Sequence, residues 1–187
     1  MSKQFSLAYL TVPGTTPVEQ THIAAAAGYD FVSFRLINIG VAGEPEVDLL
    51  SPVMLRRTRA ALIETGVKLF DIELARILRE VDPRTFLPAF EAGAELGAKQ
   101  VIASAWTNVR NDRDFIAERF AEICDLAAPF GLTVNLEFPA FSRLANLEDA
   151  VDVLNAAARS NAGLLIDTLY WHLTRARLAD LRTIRPE

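Results

Sequence analysis

The chain has 187 residues, of which 51% are hydrophobic and 23% charged, with a formal net charge of −5. That length suits one domain with a sizeable core and excludes intrinsic disorder. One cysteine and two histidines exclude an internal disulfide, a Cys-rich zinc site and a His-dominated metal site. The acidic balance argues against nucleic-acid binding, and no apolar run reaches the ~20 residues that span a bilayer. Met1-Ser2-Lys3-Gln4 leads directly into a strand-like segment with no signal-type apolar region, which predicts a cytoplasmic protein.

In chain order, Phe5–Leu10 reads as a first strand. Thr16-Pro17-Val18-Glu19 is a capping box with Pro at the first helical position. The helix it opens closes at Ala27-Gly28, and Phe31–Arg35 follows as a strand. Ser51-Pro52 opens the next helix, and Gly66 ends it before the strand Val67–Glu73. Asp82-Pro83 repeats the start signal, and Gly97 precedes the strand Gln100–Ser104. Arg113–Phe130 has helical apolar spacing, Gly131 stops it, and Leu132–Phe138 is a strand. Asn146 with Asp149 marks the start of the helix Leu147–Arg159, and Gly163 precedes the strand Leu164–Asp167. A short helix is expected after it.

Glycine just beyond a helix adopts the left-handed conformation that closes the last turn. The five glycines stand 38, 31, 34 and 32 residues apart, the size of one βα unit. Strict alternation of strand and helix predicts a parallel sheet. Along the strands, Val32 and Phe34 share a face against Ser33 and Arg35, and Lys68, Phe70 and Ile72 oppose Asp71 and Glu73. Leu132, Val134 and Leu136 oppose Thr133, Asn135 and Glu137, and Leu164 and Ile166 oppose Leu165 and Asp167. A doubly wound sheet would bury the polar set under helices, at about 1–3 kcal/mol per unpaired group. A barrel turns it inward, so the expected fold is α/β of the (β/α)8 type. Only about six of eight units are present. The single domain, 1–187, stops at Arg185-Pro186-Glu187, where a seventh strand would begin. Open sheet edges invite another chain.

Ligands of parallel βα folds bind at the carboxyl ends of the strands. Arg35, Glu73, Glu137 and Asp167 fall there. Glu137 and Asp167, on neighbouring strands of matching parity, would share a proton, a cation or a positive side chain, and oxygen donors of this kind suit Mg²⁺ or Mn²⁺. Each could instead be a loop-facing carboxylate or a helix cap. Arg35 could hold a substrate oxyanion or neutralise Glu73, and Arg76 is near enough in sequence to pair with Glu73. Trp106 could stack on a sugar-like face, and His172 could reach substrate from the loop after Asp167. His22 reads as solvent-facing and Cys124 as a core filler. Lys3, Lys68 and Lys99 all open strands, the wrong end for a Schiff base. No GxGxxG, P-loop or GxSxG motif occurs.

Asn135-Leu136-Glu137-Phe138-Pro139 and Leu165-Ile166-Asp167-Thr168-Leu169 resemble strands five and six of the sugar phosphate isomerase/epimerase family, the xylose isomerase-like TIM barrels. Ser6–Val12, Ala27-Gly28-Tyr29-Asp30 and Phe70-Asp71-Ile72-Glu73-Leu74 support the likeness over nearly the whole chain. The resemblance implies one divalent metal (Mn, Co, Mg or Zn) on a Glu ending strand five, an Asp ending strand six, and a His and a Glu from strands seven and eight. Glu137 and Asp167 match the first two, so the site would be incomplete in this chain. Where relatives often place a substrate-facing His, this sequence has Tyr170, with His172 two residues later. The implied activity is isomerisation or epimerisation of a sugar-like hydroxy-carbonyl compound. Glu137 or the missing strand-eight Glu would be the base and the metal would stabilise an enediolate. Dehydration of an inosose or dehydroshikimate type, and a degenerate non-catalytic barrel, are the alternatives. The implied partners are a small sugar-like molecule and further copies of the chain, with no nucleic acid or membrane; the 187 residues alone are expected to be inactive.

Overall fold

A computed structural model describes residues 3–107, 112–142, 144–182 and 184. Met1-Ser2 and Arg185-Pro186-Glu187, which bear on the expected start and stop of the chain, lie outside them. Among these residues six parallel strands alternate with helices, and the sheet order β1-β2-β3-β4-β5-β6 follows the chain. A doubly wound sheet reverses its strand order at a switch point. This order has no reversal, as a (β/α)8-type barrel requires, with six of its strands present.

The chain groups into two compact units, one of residues 1–74, 86–101 and 130–132, the other of 75–85, 102–129 and 133–187. In the first unit, β1 (Ser6–Leu7) pairs with β2 (Phe31–Arg35), and β2 with β3 (Lys68–Ile77). Helices α1 (Pro17–Ala26) and α2 (Pro52–Thr65) pack on each other, and α3 (Leu87–Glu95) brings Phe90 to the core. Val32, Phe34, Ile72 and Phe90 are fully buried. The capping box forms as its residues dictate: the Thr16 hydroxyl accepts from Glu19 N–H, and the Glu19 carboxylate accepts from Thr16 N–H at 2.8 Å. Ser51 caps α2, and Gly66 ends it with φ +75°. Asp82 accepts from the Arg84 N–H, but a 3₁₀ turn, Pro83–Phe86, precedes α3.

Two expectations fail here. The first strand ends at Leu7, because Tyr9–Thr11 forms a 3₁₀ turn. The third strand continues to Ile77, so Glu73 lies inside it and not at its end; its pairing with β2 does stop at Arg35↔Glu73. The pairing also slips. Val32 faces Leu69 but Ser33 faces Asp71, leaving Phe70 as the extra residue of a bulge. The bulge sets Asp71 beside Ser33 and leaves Phe70 44% exposed. Strict alternation would instead place Phe70 on one face with Ile72, which is fully buried.

In the second unit, α4 (Arg113–Ala127) packs on α5 (Leu147–Ala157) and β5 (Thr133–Glu137). β4 is Gln100–Ala105, and β6, Ala162–Leu165, pairs with β5. Phe120, Ile123, Val134 and Leu136 form the core. Cys124 fills it as expected, with burial pushing its thiol up to about 12. The sixth strand thus lies two residues earlier than expected. Asp167 falls outside it and caps the short helix α6 (Thr168–Leu173), which precedes α7 (Leu178–Leu181). Gly163 is not a helix cap either. Ala158, at φ +50°, ends α5, and Gly163 sits in β6 opposite Asn135. A Cβ at Gly163 would overlap the Asn135 side chain. Gly163→Ala should therefore cost about 1–3 kcal/mol in chemical denaturation. Gly163→Ala combined with Asn135→Ala should recover most of that loss.

Candidate functional site

In the first unit, Arg35 is the centre of a buried polar cluster. Its Nη2 donates to Glu73 Oε1 at 3.0 Å, and Glu44 Oε1 lies 3.9 Å from Nη1. The guanidinium sits 4.5 Å from the Tyr9 ring centroid, a cation–π contact. Its Nε is buried with no hydrogen-bond partner among the described residues. Glu44 is itself held by the N–H groups of Ile39 and Gly40 at 3.1 and 2.9 Å. Arg35 thus neutralises Glu73, one of its two expected uses. Burial raises the Glu73 carboxyl above its usual range, and Arg35 opposes that shift.

One layer nearer the strand starts, the Ser33 hydroxyl donates to Asp71, and Gln20 Nε2 donates to the Ser33 carbonyl at 2.7 Å. Burial pushes Asp71 up to about 7; the Ser33 bond works against that and the Glu73 charge adds to it. Strand alternation alone marks Asp71 as no more than an inward polar residue. Its neutral-range titration comes from the bulge and the depth of the site, which no local pattern announces.

In the second unit, Glu137 ends β5 and Asp167 follows β6. Asp167 Oδ1 accepts from Leu169 N–H at 2.6 Å and from Tyr170 N–H at 3.3 Å. The Tyr170 hydroxyl is raised above its ordinary pKa by partial burial, by the Glu137 charge and by the Asp167 charge. Both carboxylates therefore act on one phenol.

Trp106, just after β4, joins this neighbourhood through rings. Phe141 meets Trp106 edge-on at 5.7 Å and Tyr170 edge-on at 5.9 Å. Arg76 lies 5.3 Å from the Trp106 centroid, and the Trp106 N–H donates to Ser104 at 3.1 Å. Phe141, 66% exposed, is the residue sequence reasoning missed. A lone aromatic in a loop carries no signal before its neighbours are known. His172 is exposed on α6, and His22 is exposed on α1 as expected. Asp112 accepts from Thr107 and Arg79, which hold its carboxyl below the usual range and tie down the start of α4.

Glu137 and Asp167 are hard oxygen donors of the kind Mg²⁺ or Mn²⁺ takes, usually with retained waters. Among the described residues no group of three or more His, Cys, Asp or Glu could hold a metal. Two such donors do not by themselves make a metal site among these residues. No helix among these residues is long and apolar enough to cross a membrane.

An in-order parallel sheet alternating with helices defines an α/β fold of the (β/α)8 barrel type. The sequence profile of the xylose isomerase-like TIM barrel family matches residues 22–183, and the chain belongs to that family. An inosose isomerase of Bacillus velezensis is 29% identical over 104 residues, 52% of this chain and 37% of that protein. The match thus spans little more than a third of the curated relative. A solved D-psicose 3-epimerase, crystallised in the presence of D-fructose, is similar over 97% of this chain and 69% of its own, with TM-score 0.78 and 15% identity. A xylose isomerase-like TIM barrel protein from Mycobacterium smegmatis in complex with magnesium is similar over 88% of this chain and 64% of its own, with TM-score 0.67 and 16% identity.

Proposed function

We propose that this chain serves a divalent-metal-dependent isomerase or epimerase acting on a sugar or sugar-like hydroxy-carbonyl compound. The observation that supports it is the shared influence of Glu137 and Asp167 on Tyr170. Those two carboxylates would hold the ion, with further donors from outside the described residues. When bound, such an ion polarises a carbonyl as a Lewis acid.

Glu137 would also act as the base, taking the proton from the carbon next to that carbonyl. Tyr170 stays protonated across neutral pH, so it can donate to a substrate hydroxyl but is a poor proton shuttle. Trp106 and Phe141 offer an apolar wall for the carbon face of a sugar ring or chain.

Titration with Mn²⁺, followed by calorimetry, tests this reading. Glu137→Gln and Asp167→Asn should each weaken binding by at least about tenfold, since even outer-shell partners are worth that much. Asn caps a helix as well as Asp does, so Asp167→Asn removes the charge and keeps α6 in place. Unchanged affinity in both variants would reject the assignment and leave Asp167 a cap.

A further inference from the structure

We propose that the cleft at the starting ends of β2 and β3, in the first unit, binds a small amphiphilic carboxylate: one ring or short alkyl chain carrying one carboxylate. This does not rest on the function proposed above. The cleft has a volume of about 610 Å³ and an apolar floor of Phe31, Leu62, Ile63 and Phe70. That size lies within the roughly 300–1,000 Å³ of small-molecule sites.

Phe70 and Ile63 are 44% and 77% exposed. Phe70 is the extra residue of the β3 bulge, held against Phe31 edge-on at 5.4 Å. The slip in register therefore presents an aromatic ring to the cleft where regular pairing would have packed it.

Charge selects the occupant. Two of the chain's three lysines, Lys68 and Lys99, line this one cleft. Neither is in an ion pair among the described residues, whereas Arg59 at the same cleft is neutralised by Glu95 at 3.1 Å. In a chain of net charge −5 this is a local positive rim over an apolar floor. The complementary molecule has an apolar body that covers Phe70 and Ile63 and an anionic end that reaches the two ammonium groups. The carboxylate would sit on the rim, where it keeps part of its hydration and avoids the cost of a buried charge.

The test is a titration of the whole chain with sodium 3-phenylpropionate, followed by calorimetry and by amide shifts. Saturable binding is expected, with shifts confined to residues 31, 59, 62–70 and 96–99. Uncharged 3-phenylpropanamide should bind about tenfold more weakly, and so should 3-phenylpropionate to the Lys68→Glu/Lys99→Glu variant. Both lysines are exposed, so that variant keeps the fold. Equal binding of acid and amide, no saturation, or shifts elsewhere would overturn the proposal. A cleft that takes a second copy of the chain would give a concentration-dependent dimer in sedimentation. If 3-phenylpropionate fails to disperse that dimer and Phe70→Asp abolishes it, the proposal is likewise overturned.

Discussion

Replacing Arg35 with Met should destabilise the protein by about 3–5 kcal/mol, the usual consequence of leaving a buried charge without its partner. The guanidinium is 7% exposed and faces Glu73, itself 11% exposed, and Glu44, at 7%. Met fills much of the same volume but supplies no charge. The Glu73 carboxyl, already raised by burial, would rise further and take a proton to remain inside. Arg35→Met with Glu73→Gln should recover a large part of the loss, because the second change removes the stranded charge. Equilibrium denaturation of the two singles and the double measures this coupling directly. A loss below about 1 kcal/mol for Arg35→Met would mean that water reaches the pair and that the cluster is a surface one.

The second large effect is a stability that falls as pH rises toward neutrality. Asp71 ionises near 3.8 in an unfolded chain and near 7 in the folded one. Between those values folding takes up a proton, so each pH increment costs the folded state. The contribution is complete below about pH 4, declines through the interval and is exhausted above about pH 7, on the order of 4 kcal/mol in all. Asp71→Asn keeps the neutral shape and an acceptor for Ser33, so its stability should vary far less with pH. Glu73, also raised by burial, leaves a smaller slope of the same sign. The carboxyls held low by their partners, Glu19, Asp112, Asp125 and Asp180, add a slope of opposite sign confined to the acid end of this window, where their unfolded counterparts titrate. Parallel pH profiles for the wild type and Asp71→Asn would show that Asp71 is ionised throughout.

Much of the architecture could be read from punctuation. Thr16 with Glu19, Ser51 with Pro52, and Asn146 with Asp149 are local hydrogen-bonding devices, and each formed where its residues stand. The bounds of Phe31–Arg35 follow from Asp30 and the turn before it. The misreadings share a cause. A carboxylate after an apolar run can end a strand or cap the next helix, and Asp167 took the second course. Gly163 looks like a helix stop in sequence, yet its role is to make room for Asn135 across the sheet. The Phe70 bulge depends on which residue of β2 lies opposite, information that β3 does not carry alone. Within the candidate site, the face shared by Arg35 and Glu73 was legible from alternation. The ring contacts through Phe141 join residues 106, 141 and 170, so they needed the folded chain.

The indole of Trp106 lies between a guanidinium over its face and a phenyl at its edge, and that phenyl leans on Tyr170. Emission from an indole shifts with nearby charge and with water. Trp171→Phe would leave Trp106 as the sole such emitter in the chain. The protein would then contain its own optical gauge, one whose colour follows any event that displaces the loop after β5.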